Sequence, residues 1–226
     1  AVGTPLSATN SMGGSLRAQS FRRPAGLPVS LDGAILRLDP DTGAAFADNP
    51  AVNDANANRR RIIGYGLRNP YRITMRPGTN EVWSTNVGAN TTEWINRIID
   101  PTANVKNFGW PCYEGSSVQW GFQAMGNATC NGVYAEGISP PYYEYQHTGP
   151  GSQIGTGFEG VNGTACQQGS GALTGAAFYN GGQFGNAQPT SNYPVEYDGA
   201  LFFTDFTRRC IYAMQKGADG LPDPNQ

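Results

Sequence analysis

Apolar and polar residues alternate in short runs along this chain, and Gly, Pro, Asn and Asp fill the gaps. Residues 34–38 read as a strand, followed by the turn Asp39-Pro40-Asp41-Thr42-Gly43. There Pro sets φ, Asp bonds its own backbone and Gly accepts a positive φ. Residues 44–61 read as a polar loop ending in Arg59-Arg60-Arg61, a solvated face. Residues 72–76, 81–86 and 93–98 alternate as three strands with short connections, an antiparallel meander. The outline returns near the C-terminus, with strands over 172–179, 200–205 and 210–214 and a turn over 193–199. Between the two units, residues 107–170 read as long Gly-rich loops with minor strands. Residues 1–30 show little periodicity and read as an irregular leading segment, which implies that the chain begins partway through a larger fold.

Repeated three- or four-strand meanders are the sequence form of β-propeller blades. The fold class is therefore all-β, with about two to three blades joined by long loops. A β-sandwich built from the same strands is the alternative.

Composition narrows the function. The chain has 226 residues, a formal net charge of −2, 38% hydrophobic and 14% charged residues. So little charge excludes charge-driven disorder. The pI near 5.4 argues against non-specific nucleic-acid binding, which wants a basic surface. No stretch approaches the roughly 18 apolar residues of a membrane span. The four cysteines are scattered and there is one histidine, which does not make a zinc cluster. Four cysteines allow three pairings. The short Gly- and Asn-containing segment between Cys112 and Cys130 favours that pair, leaving Cys166 with Cys210. Two disulfides point to a secreted, periplasmic or extracellular protein. Four reduced, buried thiols would instead mean a cytosolic one. The tripeptides at Asn90, Asn127 and Asn162 are glycosylation sequons if the source glycosylates.

The strings Gly33-Ala34-Ile35-Leu36-Arg37-Leu38-Asp39-Pro40-Asp41-Thr42-Gly43, Tyr65-Gly66-Leu67-Arg68-Asn69-Pro70-Tyr71-Arg72, Trp94-Ile95-Asn96 and Asn107-Phe108-Gly109-Trp110-Pro111 resemble, in order and spacing, the glucose/sorbosone dehydrogenases. These are soluble quinoprotein sugar dehydrogenases. The resemblance covers about 33–115 and, less specifically, 171–214. It implies a six-bladed β-propeller carrying pyrroloquinoline quinone (PQQ) and calcium, of which this chain is a portion. Its layout would be an irregular lead over 1–30, the best-matched blades over 33–115, long loops over 116–170 and a further blade over 171–214. It also implies oxidation of the C1 hydroxyl of aldose sugars to the lactone, an external electron acceptor, and work outside the cytoplasm. Missing blades would come from the same parent chain or by self-association.

The resemblance assigns residues. PQQ is a planar tricarboxylate, and fixing it calls for guanidinium forks and amide donors. The family's cofactor-facing Arg-Asn pair falls on Arg68 and Asn69. Pro70 pushes Asn69 out of the helical region and sharpens the turn. Calcium takes backbone carbonyls as readily as carboxylates. The family's two successive carbonyls fall on Gly88 and Ala89. Arg208 falls near a position that often carries a cofactor-facing Lys or Arg, although an exposed arginine is the plainer reading.

The chain also departs from the family pattern. The family's second calcium uses a glutamate just before Ile-Asn, where this chain has Trp94. Glu93 stands one residue earlier and so points to the other face of the strand. The family's general base is a histidine in an earlier blade. The one histidine here, His147 in Tyr143-Glu144-Tyr145-Gln146-His147-Thr148-Gly149, lacks that context and reads as a loop residue bonded to backbone. No catalytic residue is therefore assigned. The family's later cofactor-binding arginines are expected beyond Gln226. Two other functions fit the same sequence: a non-catalytic propeller acting as a binding or cell-surface module, and a small β-sandwich lectin using exposed Trp and Tyr.

Overall fold

The structure is a computed structural model that describes residues 13–149, 154, 166, 169–181 and 193–225. The first 12 residues of the leading segment, most of the 150–168 loop and the sequon at Asn162 lie outside the described residues. The chain divides into two compact units. Residues 1–70 with 96–142 form the first, and residues 71–95 with 143–226 form the second.

In the first unit, β1 (Ile35–Leu36) pairs antiparallel with β2 (Ile62–Tyr65), and β2 pairs parallel with β6 (Lys106–Asn107). The strand expected over 34–38 is only two residues long, and Leu38 instead bridges antiparallel to Ala45 across the turn. The turn after it forms as expected, with Asp39 Oδ1 accepting from the backbone N–H of Asp41 and Thr42 and Gly43 at φ +66°. The leading segment is not irregular throughout. Gly14–Arg22 is a 3₁₀ helix that buries Leu16, Ala18, Gln19 and Ser20.

The arginine run is likewise not a solvated face. Ala57–Arg61 is a short helix, α1, capped by Asn56, whose side chain accepts from Asn58 and Arg59 N–H. Arg59 donates to Arg23 O, Arg60 to Asp54 O and Arg61 to Gly43 O. Guanidinium donors thus satisfy loop carbonyls that have no ladder partner.

Among the described residues, two apolar clusters pack in this unit. Val29, Ile62 and Tyr65 pack with Phe21, Ala34, Leu36 and Val105. Leu16, Cys112, Cys130 and Val133 pack with Tyr113, Phe122, Tyr134 and Ile138. The second cluster forms around the expected Cys112–Cys130 disulfide. Within the stretch read as loop lie a two-stranded ribbon, β7 (Tyr113–Glu114) and β8 (Ser117–Val118), and two short helices, α2 (Trp120–Ala124) and α3 (Ala128–Glu136). Asn127 caps α3 and is fully buried, so it is closed to glycosylation in the folded chain, whereas Asn90 is exposed.

The second unit is built of two sheets. The first has the order β3 (Pro70–Met75), β4 (Val82–Asn86), β5 (Thr92–Ile98), β9 (Tyr143–Gln146). The expected three-strand meander is there, and β9 adds a fourth strand antiparallel to β5, with Thr92 opposite Gln146 and Glu93 opposite Tyr145. The second sheet is the expected antiparallel meander β10 (Leu173–Phe178), β11 (Leu201–Asp205), β12 (Cys210–Met214). Trp83 on β4 meets Phe178 on β10 edge-to-face, ring centroids 5.4 Å apart. Cys166 and Cys210 form the second disulfide. The described residues are thus mainly sheet with short helices. No helix among them is long and apolar enough to cross a membrane.

Candidate functional site

Two of the family-like strings meet in the first unit. Phe108 N–H donates to Tyr65 O and Trp110 N–H to Gly66 O, both at 2.8 Å. Gly66 has φ +75°, and a Cβ there would lie 2.5 Å from Asn107 Oδ1 and 2.6 Å from Gln19 Nε2. Only a glycine lets the chain pass between these groups. On the other side Leu67 N–H donates to Gly33 O at 3.0 Å, and a Cβ on Gly33 would stand 2.1 Å from Leu67 O. Leu67 is buried and anchored by these contacts, and the next two residues, Arg68 and Asn69, are exposed at the tip. The Arg68 guanidinium lies over the ring of Trp110, 5.6 Å from its centroid. A cation over a ring face at this distance is attracted to it, which favours this placement of the side chain.

The second unit contains Gly88, Ala89 and Arg208. Gly88 N–H donates to Glu93 Oε1 at 3.0 Å. The same oxygen is 2.7 Å from His147 Nε2, while Glu93 Oε2 accepts from Leu173 N–H at 2.8 Å. Glu93 is 0% exposed, so these donors replace the water its carboxylate has lost. Glu93 was legible only as a failed calcium ligand. β5 is buried along nearly its whole length, so a carboxylate on it must find its partners within the protein. The His147 main-chain N–H donates to Thr91 O at 2.8 Å, while its ring meets the Glu93 side chain.

The expectation of an exposed Arg208 is corrected. It is 1% exposed, and donates from Nε to Ser170 O and from Nη2 to Gln146 O, each at 2.8 Å. Its guanidinium stands 4.6 Å from the centroid of the Tyr145 ring. Asp205 lies beneath it, its Oδ1 accepting from Arg208 N–H and its Oδ2 from the Tyr145 hydroxyl and Ala172 N–H. Burial, reinforced by the Asp205 carboxylate, holds the Tyr145 phenol far above the usual tyrosine range. Burial pushes Tyr143 up to about 12.

Trp94 is 1% exposed, at the position where the resemblance expects a calcium-binding glutamate. Among the described residues no group of three or more His, Cys, Asp or Glu could hold a metal ion. The structure therefore places Arg68 and Asn69 on one turn and Gly88 and Ala89 on one loop. It joins that loop to Glu93 and His147.

Comparison with known proteins places these motifs. Over 156 residues the chain is 28% identical to the aldose sugar dehydrogenase YliI of Escherichia coli (strain K12), covering 68% of this chain and 33% of that protein. A solved glucose dehydrogenase overlaps 97% of this chain and 48% of its own at a TM-score of 0.56 and 21% identity. The apo-form of the soluble aldose sugar dehydrogenase from Escherichia coli overlaps 96% and 48% at a TM-score of 0.54 and 23% identity. The chain thus spans a third of the curated relative and about half of these structures, whose likeness establishes the fold. The glucose/sorbosone dehydrogenase family model matches residues 11–157; it begins upstream of Gly33 and stops short of the 171–214 stretch. That match covers more than half of the 226 residues, and the chain belongs to the glucose/sorbosone dehydrogenase family.

Proposed function

We propose that this chain is part of a PQQ- and calcium-dependent dehydrogenase that oxidises the C1 hydroxyl of aldose sugars to the lactone outside the cytoplasm. The sheets of the two units are blades of a propeller that further blades complete. The observation that carries the reading is the Arg68 turn. Close-packed glycines hold the backbone on either side of Leu67, and an exposed guanidinium stands over the Trp110 indole at the tip. That suits a flat, multiply charged carboxylate, since a fork of parallel N–H groups matches carboxylate geometry. Arg68 binds the acid groups and Asn69 adds an amide to the same ligand.

For calcium, the donors that fit are the main-chain carbonyls of Gly88 and Ala89, hard oxygens of the kind the ion prefers. Glu93 is not assigned as a ligand in this reading, because its two oxygens serve Gly88, Leu173 and His147. When bound, PQQ supplies the acceptor for the two electrons and the hydrogen that leave C1. Arg208 acts in this reading as a brace under the β9 end and makes no cofactor contact. His147 is engaged with Glu93 and is not assigned as the base that takes the hydroxyl proton. The two disulfides support the extracytoplasmic setting.

The test is a titration of the protein with PQQ and calcium chloride, followed by tryptophan fluorescence, since Trp110 lies directly under Arg68. Saturable quenching is expected. Arg68→Ala should weaken the binding at least about tenfold, as a charge-assisted contact contributes roughly 1.5–3 kcal/mol. Equal affinity in the mutant removes Arg68 from the site. No quenching in the parent protein would favour the second reading, a propeller that kept the fold and lost the chemistry. The buried Trp94 in place of the expected glutamate is the observation on that side.

A further inference from the structure

We propose that His147 is a positioning residue that holds the Gly88–Ala89 loop at both of its ends. The proposal rests on the reading above only for what the loop binds. The holding itself follows from the hydrogen bonds. At the far end of the loop, the His147 main-chain N–H donates to Thr91 O at 2.8 Å. At the near end, its ring Nε2 and the Gly88 N–H converge on one oxygen, Glu93 Oε1, at 2.7 and 3.0 Å. The residue just after β9 therefore fixes the loop that leads into β5, through its main chain on one side and, by way of Glu93, its side chain on the other.

Glu93 is the intermediary, and its chemistry makes the arrangement specific. A carboxylate with no exposed surface needs donors from the protein. Leu173 N–H supplies Oε2, which leaves Oε1 to Gly88 and His147. As the carboxylate only accepts, the hydrogen of the His147 contact sits on Nε2.

The packing around the ring points the same way. Gly171 lies against the pair, and a Cβ there would fall 2.6 Å from Glu93 Cγ and 2.7 Å from His147 Cδ2. A side chain at 171 would therefore displace the imidazole or the carboxylate. The residues just before His147 and Gly171 are both tied down, because Arg208 donates to Gln146 O and to Ser170 O. The segment on either side of the imidazole is thus tied down at the backbone, and Nε2 meets Glu93 Oε1.

Holding the Gly88 N–H matters because of the peptide's planarity. Its hydrogen bond fixes the plane of the Val87–Gly88 peptide. Glycine otherwise turns more freely about its two backbone dihedrals than any other residue. With that plane fixed, the swing of the next two carbonyls, those of Gly88 and Ala89, is reduced. A cation held by neutral carbonyls depends on such preorganisation, because no fixed charge draws it in.

The experiment is hydrogen–deuterium exchange of the 226-residue chain, read on peptides covering residues 86–92 and, as an internal control, β10–β12. No cofactor is needed. His147→Ala should raise exchange in 86–92 at least about tenfold and leave β10–β12 unchanged. His147→Gln, which keeps an N–H donor near the Nε2 position, should restore protection. His147→Asn, whose amide reaches only the Nδ1 position, should not. Unchanged exchange in the alanine variant overturns the proposal. So does equal behaviour of the Gln and Asn variants, which also decides the matter if alanine unfolds the chain. A parallel calorimetric titration with calcium chloride, with and without PQQ, separates this proposal from the functional reading. Calcium affinity should fall about tenfold in His147→Ala and return in His147→Gln. A parent protein that binds no calcium, while its loop exchange still follows His147, removes the cation reading and keeps the positioning role.

Discussion

The Tyr145 hydroxyl donates to Asp205 Oδ2, a buried hydrogen bond between residues 60 apart in sequence that ties β9 to the end of β11. The acceptor is 1% exposed, and its oxygens also cap Ala172, Thr207 and Arg208 N–H. Removing the phenol leaves a buried carboxylate oxygen short of a donor. Tyr145→Phe is therefore expected to destabilise the chain by about 1.5–3 kcal/mol, the range for hydrogen bonds to charged groups. Urea melts of the two proteins check this. A midpoint unchanged at equal slope would show that the bond contributes nothing.

The same burial predicts the response to alkali. Tyr143 titrates near 12 when folded and Tyr145 lies further up still, whereas an unfolded tyrosine titrates near 10. The folded state thus holds these protons while the unfolded chain loses them. Their contribution to stability is complete below pH ~10 and is lost as the pH rises through about 12. Absorbance at 295 nm, followed beside circular dichroism, should show at least two tyrosines that ionise only with or above pH ~12, or together with unfolding. Ionisation of all eleven tyrosines near pH 10 with the sheet signal intact contradicts the burial.

The Cys112–Cys130 bridge closes a short loop, 18 residues in separation, around a small apolar cluster. A cross-link of that span restricts the unfolded chain by an amount worth about 3 kcal/mol. The double change Cys112→Ala with Cys130→Ala should lower stability by about 2–4 kcal/mol, measured by denaturant melting. The exchange of β10–β12 amides should be unaffected below the global transition. A loss under 1 kcal/mol would show that the cluster around Leu16 and Val133 holds without the bridge.

Period-two alternation made β11 and β12 legible because one face of each is buried, whereas β4 is buried on both faces and shows as a short run bounded by turns. Phe203 and Tyr212 announce themselves as core residues by that rule, and Trp83 by its place in a short strand between two turns, so the three-strand units at 70–98 and 173–214 follow. The chemistry of the turns was legible too, since Asp39 and Gly43 act through contacts within a few residues. What the sequence hid was whatever depends on a distant partner. Arg208 reads as an exposed cation until two backbone carbonyls from other segments are brought to it. Arg59, Arg60 and Arg61 read as a solvated run because their acceptors are loop carbonyls, which carry no residue-type signal. The 3₁₀ helix at Gly14–Arg22 has no apolar period to betray it and forms because Gln19 and Ala18 find partners near Asn107 and Gly66. For the candidate site, the family resemblance pointed to Arg68 and Gly88, and only the fold joined Gly88 to Glu93 and His147.

Gly66 links the fold of the first unit to its proposed chemistry. Its φ of +75° is a conformation that side chains rarely adopt, and a methyl group there would press on Asn107 Oδ1, Gln19 Nε2 and the Gly109 nitrogen at 2.8 Å or less. Gln19 and Asn107 cannot simply withdraw, because they bond each other and Gln19 also donates to Trp110 O. Gly66→Ala is therefore expected to cost about 1–3 kcal/mol from backbone strain alone, with steric displacement adding to it. The displaced atoms belong to the segment that carries Trp110, the ring beneath Arg68. The variant should thus alter Trp110 fluorescence and weaken PQQ quenching at denaturant concentrations where the chain is still folded. A neighbouring control, Gly43→Ala, shares a positive φ of +66° but meets nothing within 4 Å of its Cβ. It should lower stability through strain while leaving the fluorescence and the quenching untouched. If the two variants change the Trp110 signal alike, the close approach at Gly66 does not set the Arg68 turn.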